Sequence, residues 1–229
     1  MFNDSRSMSR SLRVLAALLS YPDALHRSVL AELAAALREE RALSAPRQQE
    51  LEILIDHLQR TEALQAESDY VELFDRGRST SLHLFEHVHG DSRERGPAMI
   101  DLGQTYEKAG LILAEGELPD YLPAVLEFVS TQPPSEARAF LGEMNHIFNA
   151  IFGALQQRGS AYASVLGALI ELAGEKAEPV TPPPDPPLDE SWAEPVVFDG
   201  CSTKGQAKPG EPQPVHIVRK SNAAQGVAP

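Results

Sequence analysis

Through the first 175 residues the apolar side chains return every three or four positions almost without a break, and this rhythm limits the fold more than any other feature. Leu51, Leu54, Ile55 and Leu58 form one such stripe, and Leu122, Val125, Leu126 and Val129 form another. Leu25, Val29, Leu33 and Leu37 follow i, i+4 spacing, Phe140, Met144, Ile147, Phe148, Ile151 and Leu155 make the longest run, and Tyr162, Val165, Leu166 and Leu169 make the last. Side chains spaced this way share one face of a helix, and a helix with one apolar face must bury it against others. No stretch alternates with period two for long enough to build a sheet. Helix punctuation falls between the stripes: Tyr21-Pro22 ends the first, Ser44 with Pro46 opens another, Gly110 follows Lys108, and Pro133-Pro134-Ser135 separates two more. The expectation is an all-α fold, a single helical-bundle domain of about eight or more helices over residues 1–175.

Residues 176–229 have a different character. Eleven of the 18 prolines lie from Pro179 onward, six of them within Glu178–Pro187, and one Trp and one Phe are the only large aromatic groups besides. Such a segment cannot bury enough apolar surface to offset its chain entropy, so a disordered, Pro-rich C-terminal tail is expected. The tail holds five basic and seven acidic residues, which leaves 15 basic and 26 acidic in the first 175 and puts most of the net charge of −13 on the helical body. Acidity of this degree argues against nucleic-acid binding, which rests on Lys and Arg neutralising phosphates, and favours a basic partner by speeding encounter. Cys201 alone cannot build a disulfide, a four-Cys zinc site or an iron–sulfur centre and fits a reducing compartment. The longest early apolar run, Val14–Leu19, falls far short of the ~20 residues that span a bilayer, so neither membrane insertion nor export is expected.

One segment departs from the rhythm. Between Tyr70 and Gly96 stand four arginines (Arg76, Arg78, Arg93, Arg95), three histidines (His83, His87, His89), Glu86 and three glycines. Charges of alternating sign can be no more than a solvated, salt-bridged connection. His83, Glu86 and His87 match H-x-x-E-H, the pattern of a zinc-dependent hydrolase in which two His four apart hold the metal and the Glu is the general base. A third ligand would have to come from elsewhere. The arginine pairs could grip a carboxylate or phosphate, but no G-x-x-x-x-G-K-[ST] loop is present to cradle a nucleotide. No Ser lies in a G-x-S-x-G elbow, and Cys201 lies in the tail, so nucleophilic catalysis finds no support.

These same residues carry a resemblance. Tyr70, Glu72, Leu73, Phe74, Asp75, Arg76, Gly77 and Arg78, then Ser81-Leu82, the run Leu84–Arg93, Arg95-Gly96 and Ala98-Met99 resemble the signature stretch of the NarJ family, assembly chaperones of respiratory molybdenum nitrate reductase related to the TorD and DmsD chaperones. Leu19-Ser20-Tyr21-Pro22-Asp23, Tyr106 with Gly110, and Glu117-Leu118-Pro119-Asp120 extend the similarity, which covers roughly residues 12–172. The resemblance implies a cytoplasmic, all-helical chaperone without catalytic turnover. Such a protein binds the apo catalytic α subunit through its N-terminal segment, keeps it competent for insertion of the molybdenum cofactor and iron–sulfur cluster, and leaves before the enzyme is complete. It further implies contact with molybdenum cofactor delivery proteins, with metal and cofactor belonging to the client. Carried over by position, the client-binding residues are Asp75, Arg76, Gly77, Arg78, Phe85, Glu86, His87, His89, Arg93 and Arg95, with Pro119 and Asp120 as a second element. Gly77, Gly90 and Gly96 would give the segment freedom to adjust. The alternative is that the block shapes a tight helix–loop–helix core and the groove lies elsewhere. Two positions depart from the family pattern: Tyr121 stands where relatives carry a His after Pro-Asp, and His83 stands where an apolar residue is expected.

Overall fold

The computed structural model describes residues 7–90, 92–114 and 116–178, all within one unit, Met1–Asp185. The Pro-rich tail from Pro179 onward lies outside the described residues. Among the described residues eleven α-helices follow in order: α1 (Ser9–Leu19), α2 (Ala24–Ser28), α3 (Leu30–Glu40), α4 (Ala45–Arg60), α5 (Ala63–Phe74), α6 (Leu84–Val88), α7 (Arg95–Lys108), α8 (Leu122–Ser130), α9 (Pro134–Glu143), α10 (Asn145–Gln157) and α11 (Ala163–Ala173). A single 3-10 turn covers Arg78–Thr80. Among the described residues there is no strand, only one isolated antiparallel bridge between His83 and Tyr121. The all-α expectation holds.

Helix α11 is apolar nearly all round, as a helix surrounded by protein must be. It packs against α10, α9, α4 and α1, while α1 lies against α8 and α3. The stripes of α4, α8 and α11 read from sequence are all buried. Two others are re-cut. Val29 (φ −103°, ψ 2°) interrupts the run between α2 and α3, so that Leu25 is 71% exposed and the buried face of α3 is carried by Leu30, Ala34 and Leu37. The break is local chemistry: the Asp23 carboxylate caps α2 by accepting from the His26 amide at 2.8 Å, and the Ser28 hydroxyl turns back to donate to the Leu25 carbonyl at 2.7 Å. The longest stripe is likewise divided at Met144 (φ −89°, ψ 0°) between α9 and α10, although Ile147, Phe148, Ile151 and Leu155 stay buried.

Three helices take their N-terminal caps from distant carboxylates. The first amides of a helix have no intrahelical acceptor, and a carboxylate there also meets the positive end of the helix dipole. Glu40, at the end of α3, accepts from the amides of Arg10 (3.1 Å) and Ser11 (2.6 Å) at the start of α1. Glu171 of α11 accepts from the Ser44 amide (2.6 Å) and hydroxyl (3.0 Å) at the start of α4. Asp120 does the same for α6. These links tie the bundle together at helix ends and not through apolar faces alone.

Candidate functional site

Helix α5 delivers the first half of the segment. Its Tyr70 hydroxyl donates to the Leu19 carbonyl at 2.7 Å and stands 3.2 Å from the Tyr121 hydroxyl, while the ring packs against Tyr21, Phe74 and Tyr162. Burial pushes the Tyr70 phenol well above its usual value, so it stays protonated and donates. Past the helix end Asp75 and Arg76 are exposed, Arg76 pairing with Glu72 at 2.8 Å. Gly77 then turns inward. A Cβ built there would lie 2.6 Å from the Arg158 guanidinium and 2.7 Å from the Thr80 hydroxyl. Thr80 has no exposed surface, and its hydroxyl bonds to the carbonyls of Leu73 and Gly77. The bond to Leu73 closes the C-terminus of α5, an end that Arg158 from α10 also reaches.

The second half is organised around Asp120, which has no exposed surface. Its carboxylate accepts from the Phe85 amide at 3.1 Å, meets His83 Nδ1 at 3.2 Å and faces the Arg95 guanidinium at 3.8 Å; its carbonyl accepts from the Leu84 amide at 3.0 Å. Leu122 N–H donates to the Leu82 carbonyl at 2.9 Å, closing the bridge that sets His83 beside Tyr121, their rings 5.5 Å apart. The hydrogen bond to Asp120 raises the His83 pKa, against the opposing effect of burial. Arg95 also faces Glu86 at 3.5 Å. Tyr106, the one buried residue of α7, donates to the Pro119 carbonyl at 2.8 Å and packs on Phe128.

This arrangement gives the zinc-hydrolase alternative no support. His83 is the N-cap of α6 in extended backbone, so it does not share a helix face with His87. The His83 ring is engaged by Asp120, and His87 Nε2 bonds to the Ser81 carbonyl at 2.9 Å. Among the described residues no group of three or more His, Cys, Asp or Glu is placed to hold a metal.

The expected client-binding residues separate into two sets. Asp75, Arg76, Arg78 and Arg93 are exposed, and Phe85, Glu86, His87, His89, Arg95 and Pro119 are partly so, the Phe85 and His89 rings being 5.3 Å apart. Gly77 and Asp120 are buried, and the crowding at Gly77 removes the freedom expected of it. Gly90 does occupy the left-handed region (φ 52°), and Gly96 lies at the open start of α7. Sequence reasoning missed a neighbouring feature. Among the described residues eight large apolar side chains are exposed, and four of them, Val88, Ile100, Ile112 and Leu118, fall in the excursion that carries α6 and α7. The exposed acids Glu94, Asp101, Glu107 and Glu117 interleave with them. Single apolar residues among charges give no periodic signal, so nothing in the pattern set them apart.

With the geometry in place, the relatives can be compared. The nitrate reductase delta subunit family matches residues 40–166. The nitrate reductase molybdenum cofactor assembly chaperone NarJ of Escherichia coli K12 is 43% identical over 162 residues, covering 71% of this chain and 69% of that one. The chain named NarJ in Bacillus subtilis 168 is 31% identical over 159 residues, 68% of this chain and 84% of that one. Among solved structures, a candidate redox enzyme maturation protein from Archaeoglobus fulgidus aligns with a TM-score of 0.51 at 20% identity, covering 73% of this chain and 94% of the other, a likeness of fold. On the family match and the identity to NarJ together, this chain belongs to the nitrate reductase delta subunit family, among its NarJ-like members.

Proposed function

We propose that this protein is a cytoplasmic assembly chaperone for a molybdenum nitrate reductase, that it binds the N-terminal segment of the apo catalytic α subunit, and that it holds that subunit open to insertion of the molybdenum cofactor and iron–sulfur cluster. Membership of the family is the observation that carries this reading. The excursion from Phe85 to Leu118 supplies a physical route: exposed apolar side chains interleaved with acids suit an amphipathic basic helix, the apolar groups giving affinity and the carboxylates speeding encounter. Exposed Asp75 would face the basic side of such a helix and Arg76, Arg78 and Arg93 its carbonyl end, and hand-over to molybdenum cofactor delivery proteins would follow. Among the described residues no helix is long and apolar enough to cross a membrane. Titration calorimetry of the full chain with the N-terminal peptide of a nitrate reductase α subunit tests the proposal. One-to-one binding that weakens as salt rises is expected; absence of binding at micromolar peptide would overturn it.

A further inference from the structure

We propose that Asp120 is a positioning residue for the client surface, acting through Arg95 and the start of α6 without touching the client. The inference deepens the function proposed above and rests on it for one of its two readouts. A carboxylate with no exposed surface cannot meet a docking peptide, and burying one without partners would cost several kcal/mol. Asp120 is instead surrounded by donors from two other segments. The Phe85 amide at 3.1 Å makes it the cap of α6, whose own N-cap residue, His83, offers no side-chain acceptor. His83 Nδ1 at 3.2 Å fixes the turn before the helix, and Arg95 at 3.8 Å fixes the first residue of α7.

Asp120 differs from the other two distant caps. Glu40 and Glu171 are partly exposed and each serves one helix end. Of the three, Asp120 is the one that binds the starts of two helices, α6 and α7, to the chain entering α8. What it holds is the part of the surface that is accessible: Phe85 and Glu86 in the first turn of α6, and Arg95, which reaches from Asp120 to Glu86 at 3.5 Å. An Asp120→Asn side chain keeps an acceptor for the Phe85 amide but loses the charge that holds Arg95, so the Arg95–Glu86 arm is released while the bundle core is untouched.

Two measurements on the full chain test this. Hydrogen exchange in the free protein should quicken across residues 84–95 in Asp120→Asn and leave α8, α10 and α11 unchanged; unaltered exchange at 84–95 would overturn the proposal. Calorimetry with the α-subunit N-terminal peptide should show Asp120→Asn and Arg95→Gln each binding about tenfold more weakly, and the double variant no weaker than the worse single one, since both break the same link. A double variant whose loss is the product of the two single losses would overturn it, as would Asp120→Asn with wild-type affinity. Should Asp120→Asn fail to fold, Arg95→Gln decides alone, and wild-type affinity there is the refuting result. Wild-type protein that ignores the peptide while exchange at 84–95 still responds rejects the proposed function and leaves the positioning role standing.

Discussion

Replacing Gly77 with Ala separates a residue that shapes the fold from one that touches a client. The backbone at Gly77 (φ −108°, ψ 112°) is ordinary extended chain, so Ala meets no dihedral strain. By itself the change should stabilise the protein by about 0.4–1 kcal/mol, because Ala reduces the freedom of the unfolded chain. The new methyl, however, would stand 2.6 and 2.8 Å from the two terminal nitrogens of Arg158 and 2.7 Å from the Thr80 hydroxyl. Arg158 is exposed and can swing aside, giving up its 3.4 Å bond to the Leu73 carbonyl. Thr80 cannot: it is fully buried, and its hydroxyl is committed to Leu73 and Gly77. Overpacking of this kind costs about 1–3 kcal/mol, so the net destabilisation is centred on ~1.3 kcal/mol and reaches at most about 2.6 kcal/mol. For a domain of this size each kcal/mol moves the melting temperature by about 2–4 °C, which predicts a fall of roughly 3–5 °C by circular dichroism and at most about 10 °C. The control is the same substitution at Gly103 in α7, where a Cβ would meet nothing within 4 Å and the helix gains about 0.5–1 kcal/mol. Opposite signs are expected. A Gly77→Ala protein that melts no lower than wild type but loses affinity for the α-subunit peptide would refute the packing argument and return Gly77 to the client surface.

Two further outcomes concern pH. His83 has a folded pKa raised above the unfolded ~6.5, chiefly by its hydrogen bond to Asp120, with Glu86 adding to the rise and burial and Arg95 opposing it. Its charged form therefore contributes stability below about pH 6.5, and that contribution is lost as pH climbs through the folded value; the melting-temperature difference between wild type and His83→Gln should shrink between pH 6 and 8, and a difference that grows would refute the assignment. Burial alone would raise the Glu40 carboxyl, but hydrogen bonds from Ser11, Arg10 and Ser7 outweigh it and hold the pKa below its usual value. Glu40→Gln should cost about 0.5–2 kcal/mol of cap stability at pH 7, with the penalty vanishing as pH falls below about 4; a penalty that persists in acid would show that charge has no part in the cap.

The buried stripes of α4, α8 and α11 were legible because a helix against a core repeats its apolar side at 3.6 residues whatever it packs on. The α2–α3 break was not, since Leu25 and Val29 fit the same phase as Leu33 and Leu37, and the short helix between them is set by side-chain bonds at its two ends, the Asp23 cap at its start and the Ser28 hydroxyl at its close. At the candidate site the sequence marks out a chemically dense stretch and offers all of it as contact surface, whereas the structure places Gly77 and Asp120 inside. The caps explain why. Ser11 and Glu40 lie 29 residues apart, Phe85 and Asp120 lie 35 apart, and Ser44 and Glu171 lie 127 apart. No local spacing rule joins such partners, so charged residues that hold helix ends resemble charged residues waiting for a ligand.

That distinction changes what the chain's acidity does. Summed over the sequence, the excess of carboxylates on the helical body reads as an attractor for a basic segment. The structure divides them by task. Glu40, Asp120 and Glu171 are bound to amides and hold helices α1, α6 and α4 in place. Glu94, Asp101, Glu107 and Glu117 are exposed beside Ile100, Ile112 and Leu118, where a field reaches solvent. Salt screens exposed charges over about 8–10 Å and acts less on carboxylates held by short hydrogen bonds, least on the fully buried Asp120, so the two groups answer differently. Raising ionic strength would act first on the rate at which the proposed basic peptide arrives, whereas lowering pH reaches a cap such as Glu40, whose carboxylate must be charged to hold its helix. Under the proposed function, client capture would then be tuned from the surface without loosening the bundle that presents it.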